Sequence, residues 1–452
     1  MTHPARASSH LPVPPIRRLT RPLARFLQIE SASGFVLLVC TVIAIVLANS
    51  GAAGAYSAFW HTPVRLEIGA FKLGGDLGHF VVNDVLMTVF FFVVGLEIKR
   101  ELVAGELRDA RKAALPVAAA LGGMLVPAGL YMALQANHFG EPAFRGWGVP
   151  MATDIAFVVG IMAVLGKRVP FGLKIMLLSL AIADDIGAVV VIAAFYSTGL
   201  NGFMLLLAAA GFALVRILNE AGVRSVPVYA FVGALIWLAV YKSGVHPTVA
   251  GVMLGLLTPA GVWVGRDALR LSITDLKARI EDTSDDPDAA ELEMMAFAAR
   301  ESVSPLERLE HCLHPWVGFL IMPLFALANA GVHIELSAVT EPVSVAVMAG
   351  LFLGKPIGVL LFSFVAVKLG VAKLPQGVTW PVLLGGGFLA GIGFTMSLFV
   401  AGLAFEGHPP LLADAKIGIL LGSALSALVG VAVLLVALRK GRREEFSTGL
   451  TG

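Results

Sequence analysis

The stretch from Ser179 to Ala194 reads Ser-Leu-Ala-Ile-Ala-Asp-Asp-Ile-Gly-Ala-Val-Val-Val-Ile-Ala-Ala. It places two adjacent carboxylates, Asp184 and Asp185, within an apolar run that extends from residue 171 to 196 and is long enough to cross a bilayer. A carboxylate at membrane depth is costly, and a like charge on the next residue makes the ionisation of both costlier still. The pair therefore predicts a functional site within the membrane. The plainer alternative is a helix outside the membrane with one wet face.

Apolar runs of this kind recur along the whole chain of 452 residues, of which 57% are hydrophobic and only 14% are charged. A soluble globular chain carries about 25% charged residues, so the composition excludes that class and favours an all-α, polytopic membrane protein. The sequence contains about twelve runs that qualify as transmembrane helices, several of them short. It lacks the alternating patterns of a membrane β-barrel.

Basic residues set the expected orientation, because short loops rich in Lys and Arg stay on the cytoplasmic side of the membrane. Both chain ends and alternate loops are basic, which predicts cytoplasmic termini and an even number of spans. We expect a cytoplasmic N-terminal tail over residues 1–26, a transmembrane domain over 27–438 and a cytoplasmic C-terminal tail over 439–452. Within the domain, residues 259–305 predict a long, acidic, partly disordered cytoplasmic connector with short amphipathic turns. Residues 49–78 predict a small extracytoplasmic hairpin.

Two further charged residues lie at membrane depth. Asp154 is midway along the fourth span, beside Thr153 and close to Pro150, where a helix break would free backbone carbonyl oxygens. Ligands that are all oxygen suit a hard cation. Alternatively, Asp154 only hydrogen-bonds a neighbouring helix. Lys355 lies in the tenth span, where it either pairs with a carboxylate or extends to the membrane interface.

The eleventh span is rich in glycine and is expected to unwind at Gly391–Gly393. Residues 113–196 and 345–438 each form three spans, and the middle span of each set is interrupted and carries a threonine at the break. Corresponding broken helices indicate a transport site at the membrane midplane between inverted repeats. If the broken helices cross, Asp154 offsets the two positive half-helix ends and Lys355 offsets the two negative ones.

Six charged or titratable residues near helix ends have both a functional and a structural interpretation. They are Glu97, Arg100, Glu101, His246, Glu310 and His311. The first three form either an interfacial anchor or a titratable mouth of the ion path. The histidine at position 246 either senses pH or is satisfied structurally at a helix end. The last two belong to a segment where histidines at i and i+3 either ligate a metal or face solvent at a helix entrance.

Several of these residues lie in motifs that follow one another in a recognisable order. The motifs are Gly95-Leu-Glu-Ile-Lys-Arg-Glu-Leu102, Ala152-Thr-Asp-Ile-Ala-Phe157, Ala183-Asp-Asp-Ile-Gly-Ala188, Ser243-Gly-Val-His246, Leu309-Glu-His311 with His314-Pro-Trp316, Gly354-Lys-Pro356 and Gly391-Ile-Gly-Phe-Thr-Met-Ser397. Together they resemble the NhaA family of bacterial sodium/proton antiporters over residues 27–438. The resemblance implies an NhaA-like fold with two inverted three-helix repeats and crossed, broken helices. The connector is longer than this resemblance leads us to expect.

The resemblance also implies roles for individual residues. Asp185 would be the main cation-binding carboxylate, and Asp184 would pair with Lys355 when no sodium is bound. Thr153 and Asp154 would support binding at the break of the fourth span. The six residues near helix ends listed above would act in the response to pH.

The activity implied by the resemblance is electrogenic, pH-regulated exchange of cytoplasmic Na⁺ or Li⁺ for external protons by alternating access. Such a protein is a transporter of the bacterial inner membrane, not an enzyme, and uses no cofactor. Its expected partners are sodium ions, protons, membrane lipid and, as one option, a second copy in a homodimer, but not nucleic acid.

Three other functions compete with this one. An intramembrane aspartyl protease would carry Gly-x-Gly-Asp and Tyr-Asp motifs in its spans, and the spans of this sequence contain neither. A passive channel is disfavoured by glycine breaks and intramembrane charges, which suit a closed, alternating site. The main alternative is a sodium-coupled organic-solute symporter of the same fold, which would move no protons against sodium in the absence of solute.

Overall fold

The computed structural model describes residues 30–69, 71–197, 199–282 and 289–448. The predicted N-terminal tail and residues 283–288 of the acidic connector lie outside the described residues. Within the described ranges, nine helices are long and apolar enough to cross a membrane, and two bent pairs of helices also qualify when each pair is taken as one span. Together with a ten-residue apolar helix at Thr248–Leu257, they account for the twelve predicted runs. The predicted all-α membrane fold is therefore confirmed.

The helices are numbered in chain order. They are α1 (Glu30–Ala48), α2 (Ala53–Trp60), α3 (Leu77–Val103), α4 (Ala110–Leu134), α5 (Ile155–Leu165), α6 (Phe171–Phe195), α7 (Gly202–Glu220), α8 (Val226–Ser243), α9 (Thr248–Leu257), α10 (Arg266–Asp282), α11 (Ala289–Glu301), α12 (Pro305–Asn329), α13 (Pro342–Lys368), α14 (Trp380–Ala390), α15 (Phe394–Ala404) and α16 (Pro409–Thr448). A 3-10 helix, Pro142–Met151, precedes α5, and α3 begins with a π-helical segment at Leu77–Leu86.

The predicted hairpin is present over part of its range. Strands β1 (Pro63–Ile68) and β2 (Phe71–Asp76) pair antiparallel, with Leu66 opposite Leu73. The prediction is wrong for the preceding residues, because Ala53–Trp60 forms α2, which bends away from α1 by 117°. These residues, Ala-Gly-Ala-Tyr-Ser-Ala-Phe-Trp, lack the alternation of apolar and polar side chains that favours a strand.

Several helices begin where the sequence supplies a polar cap. Asp109, Asn201 and Ser304 precede α4, α7 and α12, and each side chain accepts a hydrogen bond from a backbone N–H two or three residues later, at 2.9, 3.1 and 3.2 Å. Such caps satisfy backbone donors that the first helical turn leaves without partners.

The two predicted three-span units are α4 to α6 and α13 to α16, each with an interrupted middle span. Their first helices, α4 and α13, pack closely because Gly122 lies against Gly358: a Cβ atom at either position would collide with the other's backbone carbonyl oxygen. Small residues allow such close contact between membrane helices. In the second unit, α14 and α15 meet at an angle of 46° across Gly391–Gly393.

The connector differs from the prediction. Where the sequence favours a partly disordered segment with short turns, the described residues form two helices, α10 and α11, which pack against each other. At the other end of the domain, α16 continues past Leu438 to Thr448, into the predicted C-terminal tail.

Candidate functional site

The two helix breaks meet in the centre of the molecule. Between the 3-10 helix and α5, residues 152–154 are non-helical, and the Asp154 N–H donates a hydrogen bond to the Ile392 carbonyl oxygen at 2.7 Å. The glycines of the second break make this contact possible, since a Cβ atom on Gly393 would lie 3.0 Å from the Ala152 carbonyl oxygen. Each break thus supplies a hydrogen-bond partner to the other.

Asp154 lies at the N-termini of two half-helices. Its Oδ1 accepts a hydrogen bond from Phe157 N–H at the start of α5, at 3.3 Å, and its Oδ2 accepts one from Thr395 N–H at the start of α15, at 3.0 Å. The Thr395 hydroxyl also donates to Oδ2. Helix N-termini carry a partial positive charge, so the positive ends of two half-helices face this carboxylate at once.

Lys355 is fully buried in α13, so it does not reach the membrane interface. Its ammonium donates to Asp184 Oδ2 at 2.7 Å and to the Met151 carbonyl oxygen at the end of the 3-10 helix. The ammonium therefore lies at a negative helix end and forms an ion pair with the first aspartate of α6.

Asp185 has a different environment from its neighbour. Successive residues of a helix point about 100° apart, so Asp185 does not follow Asp184 towards Lys355. Asp185 is 2% exposed, and among the described residues its Oδ1 has no hydrogen-bond partner; neither does Asp184 Oδ1.

Thr153 connects the ion pair to the second break. Its hydroxyl oxygen lies 2.8 Å from Asp184 Oδ2 and 2.9 Å from the carbonyl oxygen of Ala390, which is the last residue of α14. A hydroxyl has one hydrogen to donate, so it serves one of these acceptors at a time. Which acceptor it serves depends on whether Asp184 is ionised.

The five central residues predicted from the sequence, Thr153, Asp154, Asp184, Asp185 and Lys355, are thus brought together and are each at most 2% exposed. With every group ionised, three carboxylates face one ammonium, which leaves two negative charges in excess. Buried charge without compensation is strongly unfavourable, so such a cluster takes up protons or a cation. Among the described residues, no group of three or more His, Cys, Asp or Glu side chains is placed so that it could hold a metal ion.

The residues predicted to respond to pH lie in two separate places. At one end of α3, Arg100 forms an ion pair with Glu310, and Glu101 Oε2 accepts a hydrogen bond from the Glu106 N–H at 3.1 Å. The neighbouring His311 is exposed, as expected for a helix entrance in solvent. Glu97 lies about one helical turn before Arg100 and Glu101 in α3, and α3 also contacts α6, the helix that carries the aspartate pair.

His246 is not part of that group. Its Nε2 lies 3.6 Å from Asp84 Oδ1, and Asp84 is 16 residues before Arg100 in α3, about 24 Å along the helix axis. His79 Nδ1 lies 3.5 Å from the other oxygen of Asp84. These two histidines line a cavity of about 480 Å³, together with residues such as His61, Asn329 and Lys416.

Two residues with contacts in these sites, Thr395 and Asp84, could not be assigned a role from the sequence. Thr395 holds Asp154, and the only sequence signal for it is a threonine directly after the glycine break. Asp84 is 2% exposed between two imidazoles, and its signal is an acidic residue in the first turns of the second span. Asp154 and His246, the partners of Thr395 and Asp84 that are distant in sequence, lie in other segments of the chain, which periodicity does not predict.

The chain was compared with known proteins. The family model described as Na+/H+ antiporter 1 matches residues 24–434. The Na(+)/H(+) antiporter NhaA of Rhodopirellula baltica is 50% identical over 96% of this chain and 98% of the relative, and NhaA 2 of Acidiphilium cryptum is 49% identical over 94% of each chain. The solved sodium proton antiporter MjNhaP1 of Methanocaldococcus jannaschii is 15% identical over 92% of this chain and 93% of that chain, with a TM-score of 0.44. The family model and the close relatives agree, so this chain belongs to the Na⁺/H⁺ antiporter 1 family.

Proposed function

We propose that this sodium/proton antiporter is electrogenic and regulated by pH, and that it exports cytoplasmic Na⁺ or Li⁺ in exchange for external protons by alternating access. The observation that carries the proposal is the carboxylate of Asp185, which is buried beside a complete Asp184–Lys355 ion pair. A buried carboxylate with no cationic partner is stable only with a proton or a cation bound. Protons and sodium ions therefore compete for it.

The exchange follows from this competition. When Asp185 is deprotonated on the cytoplasmic side, Na⁺ binds it together with oxygens from the breaks, of which Thr153 and the backbone near residues 390–392 offer several. The bound ion also attracts the Asp184 carboxylate, and this attraction weakens the ion pair between Asp184 and Lys355. The two three-span units then rock against the rest of the protein, and external protons displace the ion.

The coupling ratio decides whether exchange carries charge. If two protons enter for each Na⁺ that leaves, one net positive charge moves inward, and a membrane potential of 100 mV contributes about 2.3 kcal/mol, equivalent to roughly a fifty-fold sodium gradient. The two proton acceptors are either both aspartates of α6 or one aspartate together with Lys355. Strongly interacting groups of this kind titrate as a unit.

We further propose that the protein lies in the bacterial inner membrane with both termini cytoplasmic, as the distribution of Lys and Arg suggests. No resident cofactor is needed for the mechanism above. Membrane lipid is the expected surrounding, and a homodimer is one option for the assembly. The similarities to named antiporters lend no support to the organic-solute symporter.

The test uses purified protein in proteoliposomes with a pH-sensitive dye inside and no organic solute present. Adding NaCl or LiCl outside is expected to move protons in the direction opposite to the cation, KCl is expected to have no effect, and an imposed membrane potential is expected to change the rate. A sodium-coupled symporter would be silent in this assay. Exchange that is independent of the potential would contradict the electrogenic proposal while leaving antiport intact.

A further inference from the structure

The two ends of the connector are tied together at its base. The backbone N–H groups of Trp263 and Val264 both donate to the Glu301 carbonyl oxygen at 3.1 Å, and Leu306 N–H donates to the Pro259 carbonyl oxygen at 3.3 Å. The chain therefore leaves the membrane domain and returns to it at one point. Helices α10 and α11 lie between these two ends.

The side chain of Glu301 anchors this base to the membrane domain. It is 3% exposed, and its two oxygens accept from Arg224 Nη1 at 2.8 Å and from Arg308 Nη1 at 3.2 Å. Arg224 belongs to the turn between α7 and α8, and its guanidinium lies 4.6 Å from the ring centre of Trp263. We call these four residues, Arg224, Trp263, Glu301 and Arg308, the Glu301 clasp. Removing one member of a buried ion pair leaves the others uncompensated, which is strongly unfavourable.

The clasp holds the start of α12 from one side. Arg308 and Glu310 are two residues apart in this helix, so their side chains point about 200° apart, to nearly opposite faces. Arg308 is held by Glu301, and Glu310 is held by Arg100 of α3. Helix α12 is thus held on one face by the connector and on the other by α3, which also contacts α6, the helix that carries the aspartate pair.

We propose that Glu301 is a positioning residue that fixes α12 where Glu310 meets Arg100, and that it thereby sets the pH profile of exchange. The second half of this proposal rests on the proposed function. The charged and titratable groups at this end of the packed elements include Glu97, Lys99, Arg100 and Glu101 on α3, Arg224 before α8, Arg300 and Glu301 on α11, and Glu307, Arg308, Glu310, His311, Cys312 and His314 on α12.

A distance measurement tests the positioning role without any transport. Two spin labels are attached to the protein in a Cys40→Ala background. One label is on the exposed Cys312 of α12, and the other is on a cysteine that replaces the exposed Leu102 of α3. The parent is expected to give one narrow distance distribution. Glu301→Gln is expected to give a broad distance distribution in place of the single narrow peak. Glu301→Asp keeps the charge and is expected to give the narrow peak of the parent. The matched control is Glu307→Gln, since Glu307 is an exposed acid on the same helix, and it is expected to leave the distribution unchanged.

A second variant keeps the clasp but removes the helices beyond it. Replacing residues 267–299 by a glycine linker is expected to preserve the narrow distribution, because the hydrogen bonds from Trp263 and Val264 to Glu301 still hold the two ends of the connector together. The proposal would be overturned if the spin-label distances were broad in the deletion variant but narrow in Glu301→Gln. It would also be overturned if Glu301→Gln and Glu307→Gln gave the same distance distribution.

The same variants are then assayed for exchange against pH. Glu301→Gln is expected to shift the pH of half-maximal exchange by about half a unit or more, the size that coupling between linked sites usually produces. Glu307→Gln and the deletion are expected to retain the parental profile. A changed distance with an unchanged profile would overturn the regulatory half of the proposal. Absence of exchange in the parent would instead contradict the proposed function, while the distances would still decide the role of the clasp.

Discussion

Replacing Asp185 by asparagine is expected to abolish sodium/proton exchange while leaving the protein folded. Asparagine has nearly the same shape, and among the described residues the Oδ1 atom that it replaces has no hydrogen-bond partner. Asparagine is neutral, as Asp185 is when it holds a proton, so the substitution is expected to leave the fold stable. It leaves a bound cation without its carboxylate, which costs roughly 3–5 kcal/mol and corresponds to a loss of at least about 100-fold in exchange rate at low sodium.

This result is measured in proteoliposomes, with thermal unfolding in detergent as the check on folding. The control is Asp267→Asn, which makes the same change on the exposed surface of α10 and is expected to exchange at the parental rate. Normal exchange by Asp185→Asn would show that the cation site is elsewhere. Loss of exchange together with loss of folding would contradict the claim that this carboxylate is unpaired in the resting protein.

Replacing Lys355 by methionine is expected to have the largest effect on stability. The ammonium is fully buried and serves both Asp184 and the Met151 carbonyl oxygen. Its removal leaves a buried carboxylate without a counter-charge, for which a loss of about 3–5 kcal/mol is usual. The melting temperature in detergent is expected to fall, and to fall less at acidic pH, where Asp184 can be neutralised by a proton.

A double-mutant cycle separates the charge effect from the loss of packing. Asp184→Asn in the Lys355→Met background is expected to recover much of the lost stability, because neither charge then remains unpaired. Lys368→Met, at the exposed end of the same helix, is the control and is expected to change the melting temperature little. If Lys355→Met melts like the parent, or if the second substitution restores nothing, the ion pair is not what stabilises the centre.

The membrane fold could be predicted from the sequence because its physical cause is local. A span needs about twenty apolar residues in a row, and a break needs proline or glycine, both of which are visible in one sequence. The central residues could be picked out for a related reason. An ionisable side chain such as Asp154 or Lys355 in the middle of an apolar run is costly and therefore conspicuous.

Contacts between distant parts of the chain could not be predicted in this way. Arg224 and Glu301 are 77 residues apart, and each, taken alone, resembles an ordinary charged residue near a helix end. Asp84 gains its environment from His79 on its own helix and from His246 in another loop. The two helices of the connector could not be predicted because acidic residues are typical of disordered segments, and because the contacts of the buried Glu301 are with residues distant in sequence.

Coupled exchange requires that sodium ions and protons exclude each other at the aspartates of α6. The most direct test adds NaCl to purified, detergent-solubilised protein in weak buffer and records proton release and Na⁺ affinity across pH. We expect release of protons in proportion to bound Na⁺, an affinity that rises about tenfold per pH unit for each proton displaced, and neither effect in Asp185→Asn. Sodium binding with no proton release and the same affinity at every pH would contradict the account.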